Sequence, residues 1–128
     1  MAEQRIAIVG SRDFPIKDMI YAFLKELVNE NRRFTLVSGG AKGVDSFAEE
    51  AARVQKQSRF IFEADWDAYG LAAGPVRNGL VVETSDQMVA FFADRKSSKG
   101  TTNAVSQALD AGLPVRAYDL KNKEWFSP

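Results

Sequence analysis

Short apolar runs rich in β-branched residues alternate along the chain with longer segments of helical periodicity. The strand-like runs are Arg5–Val9, Phe34–Val37, Phe60–Phe62, Met88–Phe92 and Val115–Tyr118. Between most of them, apolar residues recur three and four positions apart, which predicts helices with one side facing a core. Strands that alternate with helices indicate βαβ units and a parallel sheet covered on both faces.

Glycine and proline positions mark the helix boundaries. Pro75 suits the first position of a helix, where its missing amide hydrogen costs little, and Gly112 followed by Pro114 indicates a helix end. The pattern predicts one α/β domain over residues 1–128. We expect a Rossmann-like, three-layer α/β/α arrangement with a mainly parallel, five-stranded sheet in the order 3-2-1-4-5.

The last residues and the first ones carry predictions about partners and location. The tail 121–128 contains Trp125 and Phe126, which either seal an edge of the core or contact another subunit, so a homodimer is an open alternative. The first residues lead into a strand without an apolar signal region, and no apolar run is long enough to span a membrane. We therefore expect a cytoplasmic protein with no membrane partner.

Composition narrows the chemistry. Seventeen basic and seventeen acidic residues leave no net charge, so nucleic acid is not the partner that overall electrostatics predict. Cysteine and histidine are both missing, which excludes disulfides, thiolate nucleophiles and the commonest general base and zinc ligand. No metal site is predicted from ligand spacing.

Three loops follow strand ends and should meet next to the reversal of strand order, where ligands bind in such sheets. They are 10–13, 39–45 and 94–102. Their glycines, hydroxyls and amides at helix starts suit a phosphate, although plain strand-to-helix turns and threonine capping explain each loop taken alone. The predicted ligand-binding residues in these loops are Gly10, Ser11, Arg12, Gly39, Gly40, Ala41, Gly43, Val44, Asp45, Lys99, Gly100, Thr101 and Thr102.

The charged residues of these loops have alternative roles. The Arg12 guanidinium offers a fork of donors to phosphate or carboxylate, or it pairs with Asp13 on the surface. Asp45 either caps its loop or, because its charge would repel a phosphate, accepts hydrogen bonds from ribose or holds an ion such as Mg²⁺. No other cofactor is predicted.

The connection 63–74 carries two aromatic residues, Trp66 and Tyr69. Either residue can stack on a nucleobase. Aromatic side chains in such a loop also pack over the end of a sheet, and this alternative stays open.

Several motifs, taken in order, resemble a known family. They are Gly10-Ser11-Arg12, Gly39-Gly40-Ala41 with Gly43 and Asp45, Trp66, Tyr69-Gly70, Ala73-Gly74-Pro75, Arg77-Asn78 and Gly100-Thr101. Over nearly the whole chain they resemble the YspA-type, cpYpsA-related family of the SLOG superfamily. The resemblance implies a Rossmann-like domain that binds a nucleotide or a nucleotide-derived ligand, and it adds Arg77 and Asn78 to the expected binding residues.

The same resemblance suggests an enzymatic alternative. The superfamily includes the lonely-guy phosphoribohydrolases, whose catalytic Arg matches Arg77, whereas Ala104 stands where their catalytic Glu is expected. An N-glycosidase would therefore need a relocated carboxylate to stabilise positive charge on the sugar, and Asp45, Asp67 and Asp94 are the candidates. Arg77 and Asp45 are the candidate catalytic residues of this alternative.

Three hypotheses follow for the function. A sensor or binding domain for a nucleotide-derived small molecule leads, and a nucleotide N-glycosidase is the enzymatic alternative. DNA binding, as in the superfamily member DNA-processing protein A, is the weaker third, with a local basic face at Arg32, Arg33, Arg53, Lys56 and Arg59.

Overall fold

The computed structural model of the protein contains one six-stranded sheet, which includes the strand-like runs. The structure describes residues 3–128. Met1 and Ala2, where the segment expected to lack a signal region begins, lie outside the described residues. Its strands are β1 (Gln4–Gly10), β2 (Phe34–Ser38), β3 (Ser58–Ile61), β4 (Gln87–Phe92), β5 (Val115–Asp119) and β6 (Glu124–Phe126). The strand order is β3-β2-β1-β4-β5-β6, and the first five strands run parallel. The predicted order 3-2-1-4-5 is confirmed.

Helices cover both faces of the sheet. Helices α1 (Lys17–Asn31) and α2 (Val44–Val54) lie on one face, and α4 (Ala73–Thr84) and α5 (Lys99–Asp110) lie on the other. Because successive side chains of a strand point to opposite faces, Ile6 of β1 joins the first core while Ala7 joins the second. The predicted three-layer α/β/α arrangement is confirmed. None of the helices described in residues 3–128 is long and apolar enough to cross a membrane.

The prediction of five strands is wrong by one. After β5 the chain turns back through Lys123, which has a φ of 53°, and β6 pairs with β5 in the antiparallel direction. The Trp125 ring packs against Tyr118 and Phe91, with ring centroids 5.3 and 5.6 Å apart. Because of this packing, the tail seals an edge of the core. The sequence did not indicate β6, because a three-residue strand after a polar turn is too short to show periodicity.

The connection after β3 is more regular than the sequence predicts. It contains a short helix, α3 (Trp66–Tyr69), and a 3-10 turn at Gly70–Ala72 that runs into α4. The side chain of Asp65 accepts a hydrogen bond from the Ala68 amide at 3.0 Å and so caps α3. Pro75 is consequently the third residue of its helix rather than the first, and β3 begins two residues before the predicted Phe60.

Close backbone contacts bring the predicted loops together. Gly43 has a φ of 76°, and a Cβ atom placed on it would lie 2.4 Å from the Ser11 carbonyl oxygen. A Cβ atom on Gly10 would lie 2.4 Å from the Phe91 carbonyl oxygen. The turn after β2 therefore meets the turn after β1 main chain to main chain, and the end of β1 meets β4 in the same way, at distances that only glycine allows.

We expect Gly43→Ala to lower the free energy of unfolding by about 2–4 kcal/mol, because the added methyl group combines a strained φ with a backbone clash. Urea unfolding followed by circular dichroism measures the change. Gly100→Ala is the matched control, since no heavy atom lies within 4 Å of its Cβ position, and it should change stability by no more than about 1 kcal/mol. Equal losses in the two variants would contradict the proposed contact.

Candidate ligand-binding site

A cavity of about 350 Å³ opens at the carboxyl end of the sheet, beside the reversal of strand order between β1 and β4. It brings together residues from all three predicted loops and from α4. Its lining is Val9, Gly10, Ser11, Arg12, Asp13, Gly39, Ala41, Asp45, Arg77, Asn78, Val81, Ser97, Ser98, Lys99, Gly100, Thr101 and Ala104.

Ser11 fixes the first loop to the third. Its hydroxyl is buried, accepts a hydrogen bond from the Ala93 amide at 2.9 Å and shares another with the Ser98 hydroxyl at 2.6 Å. Its own amide donates to the Phe91 carbonyl oxygen at 3.0 Å. The Ser11 hydroxyl, which was predicted to contact an anion, is thus used to hold the two loops together. The neighbouring Arg12 is exposed and lines the cavity with a charged side chain.

Asp45 caps its loop, which is one of its two predicted roles, and it also lines the cavity. Its carboxylate is almost fully buried and accepts a hydrogen bond from the Ala41 amide at 3.3 Å. Burial raises the pKa of Asp45 from 3.8 to about 6, against the lowering effects of the Ala41 amide and the Arg77 guanidinium, while Glu49 adds to the rise. Asp45 therefore titrates close to neutral pH at the wall of the cavity.

Arg77 joins the glycine loop after β2 to the start of α5. Its guanidinium donates to the Gly39 carbonyl oxygen and, through Nε, to the Asn78 side-chain oxygen at 3.0 Å. The Asn78 amide group donates in turn to the Gly100 carbonyl at 3.3 Å and to Asn103 at 3.0 Å. Burial lowers the pKa of Arg77, Asp45 raises it and Arg12 lowers it further, yet a guanidinium stays charged at neutral pH.

The first turn of α5 supplies backbone donors. Within the described chain the amides of Lys99, Gly100 and Thr101 have no backbone acceptor, and Ser98, at the N-cap position, makes no side-chain capping bond. These amides and the helix dipole favour a negative charge. Ala104 lies on the same wall, so a methyl group stands where the resemblance would place a catalytic carboxylate.

A second hollow of about 310 Å³ adjoins the first cavity. The two share Arg12, Gly39, Ala41 and Arg77. The second hollow adds Gly40, Glu63, Ala64 and Trp66. Trp66 therefore lies beside the predicted loops, whereas Tyr69 belongs to neither lining.

The remaining predicted residues take other positions. Gly43 and Val44 contribute to packing beneath the loops, and Thr102 is exposed outside both linings. Sequence analysis missed Ser97, Ser98 and, in the second hollow, Glu63. Each of these three follows a strand or precedes a helix at the carboxyl end of the sheet, which is the signal that would have indicated them.

The acidic candidates for catalysis are not all at the site. Asp67 and Asp94 lie outside both linings. Asp94 accepts a hydrogen bond from the Lys96 amide and pairs with Lys121 at 3.5 Å, and these contacts lower its pKa. Across residues 3–128, no three acidic side chains converge in the manner of a metal site. The geometry of the cavity suits an anion held by guanidinium, ammonium and amide donors.

Comparison with known proteins identifies relatives in sequence. A model of the YspA, cpYpsA-related SLOG family matches residues 4–69. Gene 61 protein of Mycobacterium phage D29 is 33% identical over 119 residues, which cover 88% of this chain and 94% of the phage protein.

Solved structures share the fold. DNA processing protein A from Streptococcus pneumoniae aligns with a TM-score of 0.72 and 21% identity over 91% of this chain, which spans only 50% of that protein's length. The Helicobacter pylori protein, described with a single-stranded DNA binding mode, aligns with a TM-score of 0.68 and 24% identity over 93% of this chain and 70% of its own. At these identities the likeness shows the fold.

Replacing Asp45 by Asn tests its buried environment. The raised pKa means that the folded protein holds the Asp45 proton more tightly than the unfolded chain does. The free energy of unfolding therefore falls as the pH rises from 3.8 to about 6, and it stays lower above that range. Asp45→Asn should therefore match the unmodified chain below pH 3.8 and exceed its free energy of unfolding by up to about 3 kcal/mol above pH 6.

Urea unfolding at the two ends of this pH range measures the difference. Asp13→Asn is the control, because it removes an exposed carboxylate from the rim of the same cavity. If Asp45→Asn changed the free energy of unfolding equally at both pH values, burial would not be the cause of a raised pKa at Asp45.

Proposed function

The chain belongs to the YspA, cpYpsA-related SLOG family, and on that premise we propose that it binds a nucleotide or a nucleotide-derived ligand as a sensor or binding domain. One observation carries the proposal. Arg12, Arg77 and Lys99 converge with the first-turn amides of α5 around one cavity at the carboxyl end of the sheet. Those are the donors that phosphate groups require.

The charge of the cavity supports an anionic ligand. Three cationic side chains line it against two carboxylates, Asp13 and Asp45. Because the pKa of Asp45 is raised to about 6, an anion bound beside it would favour the neutral carboxyl form further. Anion binding should therefore be accompanied by partial proton uptake near neutral pH, which reduces the repulsion that the sequence predicted for Asp45.

The size of the cavity supports a ligand larger than a simple ion. Small-molecule sites span about 300–1,000 Å³, and about 350 Å³ with an adjoining hollow of about 310 Å³ lies within that range. Free phosphate would occupy a small part of such a volume. A nucleotide or a derivative of one suits it better.

The glycosidase alternative depends on a single acid. Ala104 supplies no carboxylate, and Asp67 and Asp94 lie outside the linings, so Asp45 beside Arg77 is the remaining candidate from the sequence. Its near-neutral pKa suits acid–base chemistry. Release of free base from a nucleoside monophosphate, detected by chromatography and lost in Asp45→Asn, would favour this enzyme over a binding domain.

Single-stranded DNA is the second candidate ligand. Trp66 is exposed next to Arg12 and Arg77 in the second hollow, and an aromatic residue beside basic side chains suits unpaired bases. The similar fold of a protein described with a single-stranded DNA binding mode adds support and weakens the argument from neutral net charge.

Cytoplasmic location, self-association and a single domain over residues 1–128 stay predictions.

Arg12→Gln tests the binding proposal. Arg12 has no side-chain hydrogen bond or ion pair within residues 3–128, so its replacement should leave the fold intact. We expect it to weaken binding of nucleoside mono- and diphosphates by about 10- to 100-fold in isothermal titration calorimetry, the loss typical of a charged hydrogen bond.

Arg33→Gln is the matched control, because Arg33 is exposed just before β2, at the opposite end of the sheet. It should bind like the unmodified chain. Equal affinities of Arg12→Gln and Arg33→Gln for every nucleotide that binds would count against the assigned cavity.

For single-stranded DNA, we expect a labelled oligothymidine to bind with an affinity that falls steeply between about 50 and 200 mM salt. Fluorescence anisotropy measures the slope of the logarithm of affinity against the logarithm of salt concentration. Lys99→Gln should lower that slope by about one, the value of one phosphate contact, whereas Arg5→Gln, at an exposed position near the amino end of β1, should not. Absence of any salt-dependent complex would dismiss this second candidate.

A further inference from the structure

The second hollow differs in chemistry from the cavity that it adjoins. In the first cavity three cationic side chains and the N-terminus of α5 outnumber two carboxylates, whereas the second hollow adds the Glu63 carboxylate and an aromatic ring, Trp66, without a further cation. Arg12 and Arg77 line both and therefore stand between them. A ligand that spans the two spaces meets positive charge at the shared wall and a negative charge beyond it.

Trp66 is held in place rather than free in a loop. The Asp65 side chain caps α3, in which Trp66 is the first residue, and the far end of the indole lies beside Gly74, where an added Cβ atom would be 3.7 Å from Cη2. The side chain is still 51% exposed. The indole therefore lies against α4 at one edge and keeps a large open surface, which suits stacking on a planar partner.

Glu63 is an acceptor without a donor. Within residues 3–128 its carboxylate has no hydrogen-bond or ion-pair partner, although a Cβ atom on Gly40 would lie 2.9 Å from its Cγ. A carboxylate repels phosphate and accepts N–H or O–H donors. The part of a ligand that lies near Glu63 must therefore carry donors and no negative charge.

We propose that the second hollow is the subsite for the nucleoside end of the ligand, with the base stacked on Trp66 and a donor of the base or the ribose bound to Glu63. This inference rests on the proposed function, because it orients the ligand within that site. The phosphate end lies toward Lys99 and the start of α5, and the guanidinium groups of Arg12 and Arg77 contact the junction of the two ends.

Calorimetric titration with inorganic pyrophosphate and with adenosine 5′-diphosphate separates the two ends of the ligand. Trp66→Leu should weaken binding of the nucleoside diphosphate by about tenfold or more, as loss of a base stack does, and leave pyrophosphate within about twofold. Tyr69→Leu is the matched control, since Tyr69 is an equally exposed aromatic residue of α3 outside both linings. It should alter neither titration.

The outcomes separate this proposal from the one it rests on. If neither probe bound the unmodified chain, both proposals would fall. If pyrophosphate bound and adenosine diphosphate bound no more tightly, or if Trp66→Leu weakened both probes equally, the nucleoside subsite would be wrong while the anion site remained.

Glu63→Leu identifies the donor. It should weaken adenosine diphosphate by about three- to tenfold and leave pyrophosphate unchanged. A 2′,3′-dideoxy analogue that is insensitive to Glu63→Leu would assign the contact to the ribose, and an insensitive purine riboside diphosphate would assign it to the base amino group. Either result supports the subsite. No loss for adenosine diphosphate, or the same loss for pyrophosphate, would overturn the role of Glu63.

Discussion

Backbone contact of the turn after β1 with the turn after β2 and with the end of β4 is the constraint on which the site depends. The Ser11 carbonyl oxygen lies against Gly43, and the Ser11 amide is hydrogen-bonded to the Phe91 carbonyl. The Ser11 hydroxyl adds the loop after β4 through its hydrogen bonds with the Ala93 amide and Ser98, so three loops from distant parts of the sequence hold one geometry at the carboxyl end of the sheet. Arg12 and the start of α5 can face a common space because the main chain beneath them is fixed.

A second, polar set of contacts supports that space from α4. Arg77 and Asn78 connect the Gly39 carbonyl to α5 through a chain of partly buried hydrogen bonds. Arg77 therefore has two tasks, since it holds the loops together and presents positive charge to both hollows. This is why Arg12, which lacks such contacts, reports more directly on ligand binding.

Sequence patterns predicted the fold well where they were long and periodic. Helices lie between the strands as the periodicity predicted, and α2 (Val44–Val54) shows why, because its apolar and alanine positions repeat with helical spacing over three turns. The sequence did not predict β6 or α3, because elements of three or four residues show no periodicity. β6 depends on the packing of Trp125, and α3 depends on the Asp65 cap. At the site, the pattern identified the loops, but the use of the Ser11 hydroxyl depends on Ser98, 87 residues away.

The position of β1 in the middle of the sheet has a consequence for synthesis on the ribosome. β1 pairs with β2 on one side and with β4 on the other, so the strand made first needs a neighbour made more than seventy residues later. Until Phe91 has emerged, the Ser11 amide lacks its acceptor and the apolar edge of β1 lacks its cover. A nascent chain thus carries the Arg12 turn early but completes its surroundings only after β4 has been translated.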